Sequence, residues 1–172
     1  MFGGRSPEHE VSIVTAFQAW EWIDPKKYNC YLIYLDRDNH AYLCPLPKKK
    51  DYRRFIKNVV TQDRRVEFIQ GGFRAKRKLL KKKIDLDIAF LCMHGNFGED
   101  GSLQGMLEYL DIAYTGSGVL GSALSMDKVL AKRVFSSLGL PVIPYYWFHY
   151  KEFGNNSKKI KKEIEQKLTA YK

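Results

Sequence analysis

"DIAFLCMHGNFGEDGSLQG", residues 87–105, joins an apolar run to a loop crowded with a histidine, glycines and acids. Asp87–Met93 reads as a central strand, apolar enough along its length to be covered on both faces. Where it stops, His94 and Gly95 open a turn through Glu99 and Asp100. Leu103, Met106, Leu107 and Leu110 then recur at helical spacing, which predicts a helix over Leu103–Leu110 with those residues inward. Strand, glycine-rich turn and helix, in that order, are the repeating unit of an α/β layer.

The same unit is legible at the amino end. In "GGRSPEHEVSIVTAFQAWEWI" (3–23) a glycine pair precedes Ser6, whose hydroxyl can accept an orphan amide, and Pro7, which suits a first helical position. Val11, Val14, Phe17 and Trp20 are the predicted core face of that helix. Only Met1 and Phe2 precede the glycines, so the chain is expected to begin at the end of its first strand, leaving a parallel sheet short.

Further elements follow from pattern and turn chemistry. Asn29–Leu35 is a strand, "DRDNH" (36–40) a turn and Ala41–Cys44 a returning strand. Residues 51–60 and 74–83 are predicted helices with Gly71–Gly72 between them. Ile112–Tyr114 is a short edge before "TGSG" (115–118). Val119–Leu138 reads as one helix capped by Gly139, with Pro141 beyond. Val142–Phe148 is an edge strand that tolerates Pro144, and Asn156–Leu168 an amphipathic helix. The fold class is α/β, a mostly parallel sheet with helices on both faces. Ligands of such sheets gather at the carboxyl ends of the strands, where Gly3–Glu8 and His94–Asp100 both fall.

With 172 residues, 45% of them hydrophobic, there is room for one domain and part of another. No run approaches ~18 apolar residues, which argues against a membrane span, and the first residues lack the order of a secretory signal. Cys30, Cys44 and Cys92 make an odd count without metal-type spacing, as expected of a cytoplasmic chain with free thiols. Charge is uneven: residues 48–83 hold 15 Lys/Arg against 3 Asp/Glu. That block reads either as a nucleic-acid patch or as solvated helix faces with Phe55, Ile56, Val59, Leu79 and Leu80 interleaved; no nucleic-acid-binding motif accompanies it, and solvated faces are the expectation.

Local chemistry leaves each candidate with two readings. Glu8, in the first turn of its helix, complements the helix dipole or holds a ligand's ammonium. His94 is a satisfied structural group or a donor to a carboxylate such as Glu8. Glu99 and Asp100 precede a helix, and as neighbours they do not point the same way. One histidine and two acids in a loop give no metal-ligand set. Neither glycine loop matches a phosphate-binding or dinucleotide pattern, and Lys128 reads as an exposed lysine.

Three stretches taken together carry more. "FGGRSPEHEVS" (2–12), "HGNFGEDGSLQGMLE" (94–108) and "YTGSGVLGSALSMDK" (114–128), followed by "GLPVIPY" (139–145), resemble in that order the amino-terminal part of the D-alanine–D-alanine ligase family of the ATP-grasp superfamily. Residues 29–85 share only its general pattern. The resemblance implies a substrate-binding domain over 1–117 and the first elements of an ATP-grasp domain over 118–172. It implies catalytic and substrate-binding roles for Glu8 and His94, with Val11, Ser12 and Glu99 also at the first D-alanine pocket and Lys128 at the nucleotide phosphates. It implies ATP and Mg2+ (or Mn2+) as cofactors, with the metal ligands outside this chain. The implied partners are D-alanine, ATP, a missing carboxyl-terminal half if the enzyme is split, and a second copy in the full-length form; nucleic acid and membrane are not implied. The implied reaction is ATP-dependent ligation of two D-alanines through an acyl phosphate, for peptidoglycan precursors. D-alanine–D-lactate ligase is the neighbouring alternative, and a non-catalytic remnant or partner-binding half the alternative of another class.

Overall fold

The structure is a computed structural model describing residues 1–46, 60–61, 64–75 and 82–169. The chain divides into two compact units, Met1–Met126 and Asp127–Lys172. The first is built on a six-stranded sheet in sequential order: β1 (Phe2–Gly3), β2 (Leu32–Leu35), β3 (Ala41–Cys44), β4 (Arg65–Ile69), β5 (Gly72–Ala75) and β6 (Lys83–Asp85). Its helices are α1 (His9–Trp22), α2 (Ser102–Tyr109) and α3 (Val119–Met126).

The α/β class holds, but the sheet is mixed rather than mostly parallel. β1 and β2 pair in parallel, whereas every neighbouring pair from β2 to β6 is antiparallel. The expected helix over 74–83 is overturned at its described ends, since Arg74 and Ala75 lie in β5 and Lys83 in β6. The physical reason is the alternation of Val66 and Phe68 with charged partners, closed by Gly71 at a φ of +69° into a hairpin with β5. The helix expected over 51–60 lies, except for Val60, outside the described residues.

The parallel part extends through Asp87–Met93, which carries no regular ladder but is bonded on both edges. On one edge the Met1 nitrogen donates to Phe90 O at 2.6 Å and Cys92 N to Met1 O at 2.9 Å. On the other, Ala89 N donates to Ala113 O and Thr115 N to Ala89 O, around a parallel bridge between Ala89 and Tyr114. Met1 and Phe2 thus occupy an interior position despite their brevity. Double-sided burial does not hold for this segment: Ala89, Cys92 and Met93 are buried, but Ile88 and Phe90 are exposed.

Alternation along β2 divides the core between two helical layers. Ile33 and Leu35 join Phe73, Met93, Leu103 and Leu107 in one cluster, on the α2 side. Tyr34 joins Phe2, Ile13, Ala16 and Cys92 in the other, on the α1 side. Helices therefore do lie on both faces. The face of α1 is rotated from the expected one: His9, Ser12, Ile13 and Ala16 are buried and Val11 is exposed. Met106, expected inward, is exposed as well, while Gln104 takes an inward place beside Leu103 and Leu107. Burial raises the thiols of Cys92 and Cys44, the latter to about 12, and Cys30 is free and half-buried.

The second unit holds α4 (Lys128–Ser137) and α5 (Tyr150–Thr169). The single helix expected over Val119–Leu138 is broken at Asp127, whose extended backbone and side chain cap α4 by accepting from Val129 N and Leu130 N. Gly139 ends α4 as expected, with Leu140 N reaching Phe135 O at 3.0 Å. Val142–Phe148 forms no strand, yet its side chains still alternate: Lys132 and Arg133 of α4 stack on Tyr145 and Trp147, and Lys167 of α5 on Tyr146. α5 begins earlier than expected, with a kink at Asn156.

One contact ties the parallel strands to α1. The fully buried Ser12 hydroxyl accepts from Gly3 N at 2.7 Å and donates to Cys92 O at 2.8 Å. Ser12→Ala should leave both backbone groups unpaired and cost about 1–3 kcal/mol in urea unfolding; a loss below about 0.5 kcal/mol would show that the clip does not form.

Candidate functional site

The site grows from the ends of β1 and of the 87–93 strand. After β1 the chain turns through Gly4–Pro7, and the Ser6 hydroxyl accepts the Glu8 amide at 3.1 Å. The helix itself starts at His9, two residues later than Ser6–Pro7 suggested, with Glu8 in the cap position and its own side chain uncommitted to capping. That leaves the Glu8 carboxylate exposed at the carboxyl edge of the parallel strands.

Buried beneath it, His9 holds the turn in place. Its Nδ1 faces Gly4 O at 2.5 Å and its Nε2 faces the Tyr34 hydroxyl at 3.1 Å. A carbonyl only accepts, so Nδ1 carries the hydrogen, and in the neutral ring Nε2 accepts from Tyr34. Tyr34 can keep that role at any ordinary pH, because burial, helped by Asp36 and Glu10, pushes its phenol up to about 12.

The second wall is the loop 94–101. Glu99 turns back so that its Oε2 accepts Gly95 N at 2.7 Å, with Oε1 3.8 Å from His94 Nδ1. Asp100 faces the other way and accepts from Phe97 N at 2.8 Å and Ser102 N at 3.0 Å. Burial alone would raise the Asp100 carboxyl, but these hydrogen bonds outweigh it and hold it below its ordinary value of 3.8. Gln104, buried, donates from Nε2 to Gly98 O at 2.9 Å.

The two walls meet at Gly95. Its φ is +68°, and a β-carbon there would lie 2.5 Å from Glu8 Oε2 and 2.5 Å from Ser6 Oγ. The Glu8 carboxylate therefore occupies the space a side chain at 95 would fill, one residue from His94. The two loops also meet where the Arg5 guanidinium lies over the Phe97 ring, 4.9 Å from its centroid.

Of the residues singled out in the sequence, Glu8, His94 and Glu99 converge. Val11 is exposed on α1 near Glu8, one turn along, and Ser12 is turned inward to the strand ends. Lys128 belongs to the second unit, as the first residue of α4. Two participants escaped the sequence reading. Thr15 Oγ1 stands 2.8 Å from His94 Nε2, and His9 supports the turn. The position of Thr15 at i+7 from Glu8 was the available signal, since Glu8, Ser12 and Thr15 share a helical face.

Fold and site together define an α/β domain that gathers polar side chains at the carboxyl ends of its parallel strands. A family profile for the D-ala D-ala ligase N-terminus matches residues 1–117. Over 171 residues the chain is 37% identical to a D-alanine–D-alanine ligase of Staphylococcus epidermidis, covering 98% of this chain and 46% of that protein. The crystal structure of D-alanine–D-alanine ligase from Helicobacter pylori is similar at a TM-score of 0.77 and 32% identity, covering 90% of this chain and 48% of that one. The VanG D-Ala:D-Ser ligase from Enterococcus faecalis is similar at 0.72 and 31%, covering 96% and 47%. The chain belongs to the D-alanine–D-alanine ligase family. It spans about half the length of the curated relatives it matches.

Two outcomes follow from this geometry. Gly95→Ala should destabilise the chain by about 1–2 kcal/mol, and less in a Glu8→Ala background; a double-mutant cycle with coupling below about 0.5 kcal/mol would place the carboxylate elsewhere. Because the folded-state pKa of Asp100 is depressed, its stabilisation is present above the ordinary carboxylate value and lost as pH falls through the folded one. The difference in unfolding free energy between wild type and Asp100→Asn should therefore hold steady from about pH 7 to 5 and shrink below about pH 4. A difference that grows on acidification would contradict it.

Proposed function

We propose that this chain provides the first D-alanine pocket of an ATP-dependent D-alanine–D-alanine ligase, acting in the cytoplasm on peptidoglycan precursors. Residues 1–117 are the substrate-binding domain and 118–172 the beginning of the ATP-grasp domain. The observation that carries this reading is the packing of the Glu8 carboxylate over Gly95, beside His94, in a chain of this family.

The roles follow from position. Glu8 offers an exposed carboxylate to the ammonium of the first D-alanine. His94 lines the same pocket, its ring held from Thr15 and flanked by Glu99. Val11 forms the apolar rim, and Ser12 shapes the wall from within. The relatives favour the first D-alanine over the second substrate as this half's ligand. By their titles, the similar structures include a D-Ala-D-Ala and a D-Ala:D-Ser ligase, and what those share is one D-alanine.

ATP, when bound, supplies the phosphoryl group that activates the first D-alanine's carboxylate for attack by the second amine. Lys128, at the start of α4, fits a contact with the nucleotide phosphates. For magnesium the fit is poor among the described residues. Asp36, Asp38 and His40 bring ligand atoms within 4.8 Å of one another. Yet Asp36 already accepts from the Asp38 and His40 amides and from the Tyr42 hydroxyl, closing the β2–β3 turn. We therefore assign no step through a metal to this chain. Among the described residues no helix is long and apolar enough to cross a membrane.

In the ligase formed when this chain is continued by the family's remaining half, Glu8→Gln should lower kcat/KM for D-alanine more than tenfold, about 1.4 kcal/mol of transition-state stabilisation. A smaller loss would remove Glu8 from the proposed role.

A further inference from the structure

His94 has a polar neighbour at each ring nitrogen, a hydroxyl at hydrogen-bond distance and a carboxylate somewhat further off, and the two differ in what they can do. Thr15 Oγ1 lies 2.8 Å from Nε2. Glu99 Oε1 lies 3.8 Å from Nδ1, and the other oxygen of Glu99 is pinned by the Gly95 amide at 2.7 Å, so the carboxylate is held on that side of the ring. An ionised carboxylate only accepts hydrogen bonds, whereas a threonine hydroxyl donates or accepts. The ring nitrogen facing Glu99 is therefore the one stabilised as N–H. In the neutral ring Nε2 is then a bare lone pair, and the Thr15 hydroxyl is the group placed to cap it. Thr15 stands two turns along α1 from Glu8, on the helix that Ser12 fixes to both strand ends.

We infer that Thr15 is a positioning residue: with Glu99 it fixes His94 as the Nδ1–H tautomer and covers the Nε2 lone pair. His94 then faces the loop side as a hydrogen-bond donor and has no free basic nitrogen on the α1 side. This assignment stands on the geometry alone. Its meaning for catalysis rests on the D-alanine reading above, where it makes His94 a fixed part of the pocket wall rather than a base.

Long-range proton–nitrogen correlation spectra of the 15N-labelled 172-residue chain, recorded at alkaline pH, test it directly. Uncoupled imidazole side chains favour the Nε2–H form, so the expected result runs against the default. His94, assigned through His94→Gln, should show the Nδ1–H form in roughly fivefold excess or more. Thr15→Val, which removes the cap on Nε2, should lower that excess severalfold, and Thr15→Ser should restore it. His9, locked by Gly4 and Tyr34, should keep its pattern throughout and report that the fold is intact. A wild-type His94 dominated by Nε2–H overturns the inference without any variant being needed. So does a Thr15→Val chain with an unchanged tautomer ratio and an intact His9 pattern. Titration of the same samples with D-alanine separates the two readings. A Thr15-dependent tautomer with no D-alanine response at His94 would leave the positioning role standing and count against the proposed pocket.

Discussion

The site depends on one hydroxyl. Ser12 is fully buried, and its Oγ bridges Gly3 N and Cys92 O. Those two backbone groups belong to the ends of adjacent parallel segments, so the bridge fixes both ends against the same helix. Everything that makes the site sits within a turn or two of that point. Glu8 precedes Ser12 by one turn of α1, Thr15 follows it by just under one, and His94 lies two residues beyond Cys92. A shift of α1 by even an ångström would separate Glu8 from Gly95 and Thr15 from His94 together. The buried clip therefore positions the reactive-looking groups without touching any ligand, in the way precise sites are held by supporting hydrogen bonds.

The loop 94–101 completes itself by similar means. Its two adjacent acids divide the work: Glu99 closes backward on Gly95 and His94, Asp100 closes forward on Phe97 and Ser102. The conformation is not free of strain, because Phe97 adopts a φ of +66° without being glycine. Residues held in that region by their surroundings cluster at ligand sites. Here the restraint comes from the carboxylate of Asp100 on the Phe97 amide and from the Arg5 guanidinium on the ring.

Much of this was legible in the sequence, for definable reasons. The strand–loop–helix units around 2–22 and 87–110 declared themselves through glycine turns and periodicity, and their shared edge followed from the parallel architecture. The strand Ala41–Cys44, the turn before it and the Gly139 cap were readable because turn and cap chemistry is local. The hairpin β4–β5 was not, since lysine and arginine at 74–83 suit a helix surface, and only pairing with neighbouring strands reveals Phe73 as core. The face of α1 was misjudged for a related reason. Val11 looks more like core than Ser12 does, until the backbone groups that need the serine are seen. Thr15 shares a helical face with Glu8 and Ser12, but that alone does not name its partner, which lies 79 residues away. The break at Asp127 could have been read, since aspartate before a helical run is a cap signal, but the apolar pattern continued across it.

Hydrogen-bonded support is distributed unevenly around the candidate site. Below the Glu8 carboxylate the support is buried and directional: Tyr34 to His9, His9 to Gly4, Ser12 to both strand ends. Each of those bonds lies where water does not compete, so each resists displacement more than its surface counterpart would. At the surface the two loops also meet where Arg5 stacks on Phe97, both exposed. A cation–π contact at such an exposed site is worth roughly 0.5–1 kcal/mol. The geometry around Glu8 is thus set from the buried side. That asymmetry follows from burial alone: the same serine, histidine and tyrosine hydrogen bonds placed at the rim would compete with water and could not set the geometry of Glu8.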